Sequence, residues 1–172
     1  MSIHTFNELS IYLTFGLGDE TFAFDVANVK EVLDLADVTK VPMTPDFMRG
    51  VINIRGRVVP VIDMRIKFGL PADEDTVDTC IIVVEVQLDE ETVVIGALAD
   101  SVREVFEIYD DQIEPPPSIG MHLSTDFIRG MGQRDDEFII ILDANRILSG
   151  DELVHLTSES DIDRAEDEAL TN

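Results

Sequence analysis

The 172-residue sequence predicts a mainly β protein built from two related subdomains, and three observations carry that reading. Short β-branched runs alternate with turn signals along most of the chain, as strands and hairpins do. Helical periodicity is brief wherever it occurs. One strand–turn–strand segment also recurs in the second half of the chain without a gap, the mark of a duplicated unit.

The elements follow in order. Ile11-Tyr12-Leu13-Thr14-Phe15 leads through Gly16 and Gly18-Asp19-Glu20 into Thr21-Phe22-Ala23-Phe24, a hairpin. Val26, Val29 and Val32-Leu33 have i, i+3 spacing and predict a short helix. Val51-Ile52-Asn53-Ile54 and Arg57-Val58-Val59-Pro60-Val61-Ile62 flank Arg55-Gly56 as a second hairpin. Pro60 inside that run predicts an edge strand or a bulge, because proline donates nothing to a ladder. Pro71-Ala72-Asp73-Glu74-Asp75 has the composition of a linker. The runs 79–88 and 92–98 flank Asp89-Glu90-Glu91 as a third hairpin. Phe138-Ile139-Ile140-Ile141-Leu142 is a late strand, and Asp143 can cap a short helix through Ile147-Leu148. Residues 159–172 are acidic and free of aromatics, so a flexible tail is expected. Hairpins at this density suit small barrels or a sandwich.

The repeat pairs Asp46-Phe47-Met48-Arg49-Gly50 with Asp126-Phe127-Ile128-Arg129-Gly130. At the same separation, Val58-Val59-Pro60-Val61-Ile62-Asp63 matches Phe138-Ile139-Ile140-Ile141-Leu142-Asp143. A weaker echo joins Val29-Lys30-Glu31-Val32 to Val102-Arg103-Glu104-Val105. What does not recur is Ile54-Arg55-Gly56-Arg57, which becomes Arg134-Asp135-Asp136-Glu137.

Composition excludes more than it assigns. With 36 acidic residues against 12 basic ones, the formal net charge is −24, which opposes contact with nucleic acid or anionic lipid. Salt adaptation and simple solubility both fit such acidity. The N-terminal residues show no signal peptide, and no apolar stretch approaches the roughly 20 residues that span a bilayer, so a cytoplasmic location and no direct membrane insertion are expected. Cys80, the only cysteine, sits in a predicted buried strand and reads as a small hydrophobe.

Catalytic chemistry finds no support in the residues. His122 has Ser124 and Asp126 close in sequence, but local proximity is not triad geometry, and His4 and His155 are isolated. No histidine–cysteine set has zinc spacing. The acidic turns 73–75, 89–91 and 135–137 lack the alternating ligands of a calcium loop. Gly130-Met131-Gly132 lacks the third glycine of a dinucleotide loop. Neither an enzyme activity nor a cofactor is expected. Arg49, Arg55, Arg57, Arg65 and Lys67 form a cationic island within a segment whose acids are Asp46 and Asp63. Such an island suits either a partner's carboxylates or the protein's own, and the sequence favours neither.

The stretch from Phe47 to Asp63 resembles the signature of CheW, the chemotaxis coupling protein family. The likeness runs from about Leu9 to Leu156 and includes Val29-Lys30-Glu31-Val32, Phe68-Gly69, Gly96, Gln112-Ile113, Pro115, and Phe127-Ile128 with Gly130. It implies two intertwined SH3-like five-stranded barrels with short helices, at about 9–70 and about 78–150 within a domain at 9–156, with strands open to exchange between them. It further implies a non-catalytic adaptor that joins chemoreceptor cytoplasmic tips to the regulatory domain of the histidine kinase CheA, at membrane-associated receptor arrays. The family's receptor contacts match Val29, Glu31, Arg55 and Val102. Gly50 and Gly56 match structural positions of the hairpin, and Gly96 matches the region implicated in the kinase contact. Cys80 stands where the family usually has an aliphatic residue. An adaptor of a kinase pathway other than chemotaxis fits the same residues. A CheV-type adaptor or the kinase itself would need receiver or kinase domains for which 172 residues leave no room. An acidic-residue hydrolase would need convergent carboxylates in a deep pocket.

Overall fold

The computed structural model describes residues 8–35, 37–71, 74–88, 90–115 and 127–148. Ten strands carry the architecture: β1 (Leu9–Leu17), β2 (Glu20–Asp25), β3 (Val29–Asp34), β4 (Met48–Ile54), β5 (Arg57–Asp63), β6 (Cys80–Leu88), β7 (Glu91–Ala99), β8 (Ser101–Tyr109), β9 (Ile128–Arg134) and β10 (Glu137–Leu142). The α-helix among the described residues is one turn, α1 (Met64–Lys67). Asp63 caps it, its carboxylate accepting from the Arg65 amide. Asp143 does the same for the Asn145 amide ahead of a 3-10 turn at Ala144–Arg146.

The strands form two five-stranded sheets, the first in the order β8-β1-β2-β10-β9 and the second in the order β3-β6-β7-β5-β4. A cut of the chain into a barrel at about 9–70 and another at about 78–150 does not separate these sheets. Each sheet takes the first two strands of one half and the last three of the other. The exchange is made at two parallel junctions, β10 on β2 and β5 on β7, where hairpins from opposite halves meet.

Both sheets close in the same way. Beyond β3, Thr39 exchanges backbone hydrogen bonds with Val51 of β4, at 2.9 and 2.8 Å. Beyond β8, Glu114 does so with Met131 of β9, again at 2.9 and 2.8 Å. The residue before each partner is a glycine. A Cβ on Gly50 would lie 2.3 Å from the Thr39 carbonyl oxygen, and one on Gly130 would lie 2.8 Å from that of Glu114. The repeated glycine is thus a crossing point rather than a turn residue, since only a bare Cα lets the two backbones approach.

Two expectations change on contact with the fold. The i, i+3 apolar spacing at 26–33 yields a 3-10 turn (Val26–Asn28) followed by β3, because Val29 to Asp34 pair with β6 across a bulge that skips Lys30. Pro60 lies in an interior strand, not at a sheet edge. Its partner on β4 is Val51, whose backbone groups turn outward to Thr39, and pairing of β5 with β7 begins only at Val61. The missing proline N–H therefore deprives neither neighbour.

The core has three parts. Tyr12, Ala23, Phe106, Ile108, Ile139 and Ile141 fill the first barrel. Ile52, Val59, Val61, Ile81, Val83 and Leu98 fill the second. The largest cluster lies between the sheets, where Phe15 stacks on Phe22 and Phe24, Phe22 on Phe68, and Phe68 on Phe127 at 4.4 Å between ring centroids. Cys80 belongs to this layer as a buried free thiol, as its run of neighbours predicts. Among the described residues no helix is long and apolar enough to cross a membrane. The three histidines, Asp126 and the acidic tail lie outside the described residues.

Candidate functional site

The hairpin between β4 and β5 turns through Arg55 and Gly56, at φ 52° and 84°. Positive φ at both central positions is the type I′ geometry that matches strand twist. The Asn53 side chain supports the turn by accepting from the Gly56 amide at 2.8 Å. From this tip Arg55 Nη1 reaches back to Glu31 Oε2 on β3, also at 2.8 Å, with 77% of the arginine side chain and 25% of the glutamate exposed. The pair clasps the mouth of the second barrel.

Beneath the clasp is a cavity of about 190 Å³ lined by Ile54, Val59, Val83 and Val94. Lys30, Glu31, Arg55 and Arg57 rim it. Lys30 is held by Glu85 on β6 at 2.8 Å. An apolar floor with a cationic rim can seat a side chain and fix its neighbour by charge. Its carboxylate and its amine are each held in an ion pair, Glu31 with Arg55 and Lys30 with Glu85.

The other predicted contact residues lie elsewhere on the molecule. The bulge between Val29 and Glu31 turns their side chains to opposite faces of β3: Val29 pairs with Val84 of the inter-sheet layer, and Glu31 with Val83 of the barrel interior. Val102, on β8 of the first sheet, packs against the same inter-sheet layer as Val29. The four residues thus form two groups, a charged pair at a barrel mouth and two half-buried valines at the edge of the layer between the sheets. Val32 on β3, Val105 on β8 and Ile11 on β1 are exposed apolar residues. Gly96 is buried at the parallel junction, opposite Val61 on β5 and Val83 on β6.

The cationic island divides between two fates. Arg55 pairs with Glu31, Arg49 pairs with Asp75 and lies 3.8 Å from Asp63, and Lys67 stands 4.7 Å over the Phe47 ring. Arg65 is buried, at 2% exposure, against Asp63, Asp75 and Asp100. Hydrogen bonding to Asp63 raises its pKa above the ordinary arginine value, against the opposing pull of burial. Sequence reasoning did not single out Arg65 from its neighbours, nor Asp100 at all. The Asp63-x-Arg65 spacing carries half of that signal, and Asp100 carries none, because it arrives from the β7–β8 link. Asp75, at the end of the expected linker, pairs with both Arg49 and Arg65.

The duplicated unit repeats the arginine–glutamate clasp, with the arginine one position earlier in the hairpin. Asp135 and Asp136 make the equivalent turn at φ 50° and 64°. Arg134 there meets Glu104 at 3.2 Å, above a cavity of about 530 Å³ between Val105, Ile108, Gln112 and Gln133. Among the described residues no group of His, Cys, Asp or Glu could hold a metal ion.

The model of the CheW-like domain matches residues 12–152. The chain belongs to the CheW-like family. The chemotaxis protein CheW of Klebsiella aerogenes is 34% identical over 145 residues, covering 83% of each chain. That of Helicobacter pylori is 32% identical over 144 residues, covering 84% of each. Among solved structures, the scaffolding protein TtCheW of Thermoanaerobacter tengcongensis superposes with a TM-score of 0.74 at 34% identity, covering 86% of this chain and 94% of its own. A CheW-like chain of this kind is a scaffold of chemotaxis signalling and not an enzyme.

Proposed function

We propose that the protein is a non-catalytic adaptor that couples the cytoplasmic tips of chemoreceptors to a histidine kinase of the CheA type. The observation that carries this reading is the Arg55–Glu31 clasp over an apolar cavity at an exposed barrel mouth. A receptor tip is a helical bundle, and a helix docks by apolar anchors with a few charges setting its register. In this reading Arg55 and Glu31 orient the helix, while Val29 and Val102 supply apolar surface where the two sheets meet. Gly50 and Gly56 hold the hairpin that presents Arg55. The regulatory domain of the kinase docks elsewhere on the barrels, in the region of β7 around Gly96, and the protein acts in the cytoplasm at receptor arrays.

Binding of purified receptor tip fragments and of the kinase regulatory domain to the full chain tests the proposal. Arg55→Glu should cut receptor affinity by more than tenfold and leave kinase affinity within about twofold. Equal receptor affinity for wild type and Arg55→Glu would remove the clasp from the interface.

A further inference from the structure

Resting on that receptor-tip reading, we infer that the mouth of the second barrel takes a partner segment presenting an aliphatic side chain beside a carboxylate, and that Arg57 selects for the acid. The argument comes from comparing the two copies of the duplicated unit. In the first barrel, Arg103 of β8 pairs with Glu137 of the β9–β10 hairpin at 3.3 Å. The corresponding positions in the second barrel are Lys30 of β3 and Arg57 of the β4–β5 hairpin. A cation and an anion in one copy are two cations in the other.

Lys30 is satisfied by Glu85, but the exposed Arg57 has no carboxylate partner among the described residues. Arg49, Arg55, Arg65, Arg103, Arg129 and Arg134 each have one. On a chain with 36 acids and 12 bases, a guanidinium without an internal partner is the exception. Turn formation does not require it either, since Glu137 stands at the same place after an equivalent turn. The charge at position 57 is thus free of architectural duty, and it sits on the rim of a cavity floored by Ile54, Val59, Val83 and Val94. Lys30 keeps its internal carboxylate, Glu85, so the carboxylate that the partner supplies is the one for Arg57. An aliphatic side chain next to it in the partner enters the apolar floor, and the guanidinium fork can take the carboxylate by two hydrogen bonds.

Titration of the full chain, valine-methyl-labelled, with a receptor tip fragment tests this directly. The methyl resonances of Val59, Val83 and Val94 should move on binding. Arg57→Gln should weaken binding about fivefold and flatten its salt dependence, and Arg57→Glu should weaken it further. Both variants should keep the wild-type urea midpoint, as exposed substitutions do. If Arg55→Glu impairs binding while Arg57→Gln binds as wild type with unmoved cavity methyls, the inference falls and the receptor reading stands. Failure of the wild-type chain to bind the fragment overturns both.

Discussion

The guanidinium of Arg65 grips both carboxylate oxygens of Asp63, with Nε 3.1 Å from Oδ1 and Nη2 3.1 Å from Oδ2. Its remaining face reaches Asp100, at 3.2 Å, whose other oxygen accepts from the Gly18 amide at 2.7 Å. Gly18 lies in the β1–β2 turn of the first sheet, and Asp63 ends β5 of the second. One buried arginine therefore ties the two exchanged sheets together.

Arg65→Ala should destabilise the fold by about 3–5 kcal/mol, because it strands carboxylates that burial has deprived of water. The double variant Arg65→Met with Asp63→Asn should recover a large part of that loss. Urea midpoints at constant slope measure both. A single-variant loss under about 1 kcal/mol would show that water replaces the guanidinium at no great cost.

The three glycines of the site should rank by crowding. Gly50→Ala drives a Cβ to 2.3 Å from the Thr39 carbonyl oxygen and should cost about 3 kcal/mol or more. Gly56→Ala meets nothing within 4 Å and should cost about 1 kcal/mol, from the positive φ alone. Gly96→Ala, 2.8 Å from an Ile81 methyl, should fall between them. Thermal melts of the three variants give the order.

Reversing the clasp separates pairing from recognition. The variant Arg55→Glu with Glu31→Arg should restore the ion pair and hold stability within about 1 kcal/mol of wild type, since the pair is largely exposed. Receptor-tip affinity should stay low, because the partner would meet each charge in the wrong place. Recovery of wild-type affinity would mean that the clasp acts only on the shape of the mouth.

Stability should decline at alkaline pH. Burial raises the Cys80 thiol above its usual 9.0 and the Tyr12 phenol above its usual 10.0. Each group keeps its proton longer in the folded state than in the unfolded one. Its contribution is therefore complete below the unfolded value and is lost as pH rises through the folded value. Melting temperatures should fall above about pH 9, and Cys80→Val should flatten the first part of that decline. Identical profiles for Cys80→Val and wild type would remove the thiol from this account.

Much of this molecule was legible because duplication writes the same physics twice. Phe47-x-x-Gly50 and Phe127-x-x-Gly130 recur because each glycine lies under a crossing strand, and each following aspartate caps the turn that ends its hairpin. The segment leading into β3 has helical spacing in the sequence because a bulge at Lys30 breaks the two-residue alternation and leaves valines at 26, 29 and 32. A bulge depends on the partner strand, and β6 lies some fifty residues away.

By itself, the sequence determined the strands of the main hairpins, the duplicated unit, the family and the presence of Arg55 at a tight turn. Those properties follow from local pattern, turn chemistry and the repeat. Only the tertiary structure decided that each barrel borrows strands from the other half, that Val29 and Glu31 face apart, and that Arg65 is buried while Arg57 is not. Strand exchange and burial depend on which distant strand comes to lie alongside, and that choice is made by closure of the sheets and by packing of the layer between them. Four arginines close in sequence, Arg49, Arg55, Arg57 and Arg65, thus receive different roles from the carboxylates that the fold brings to them, or withholds.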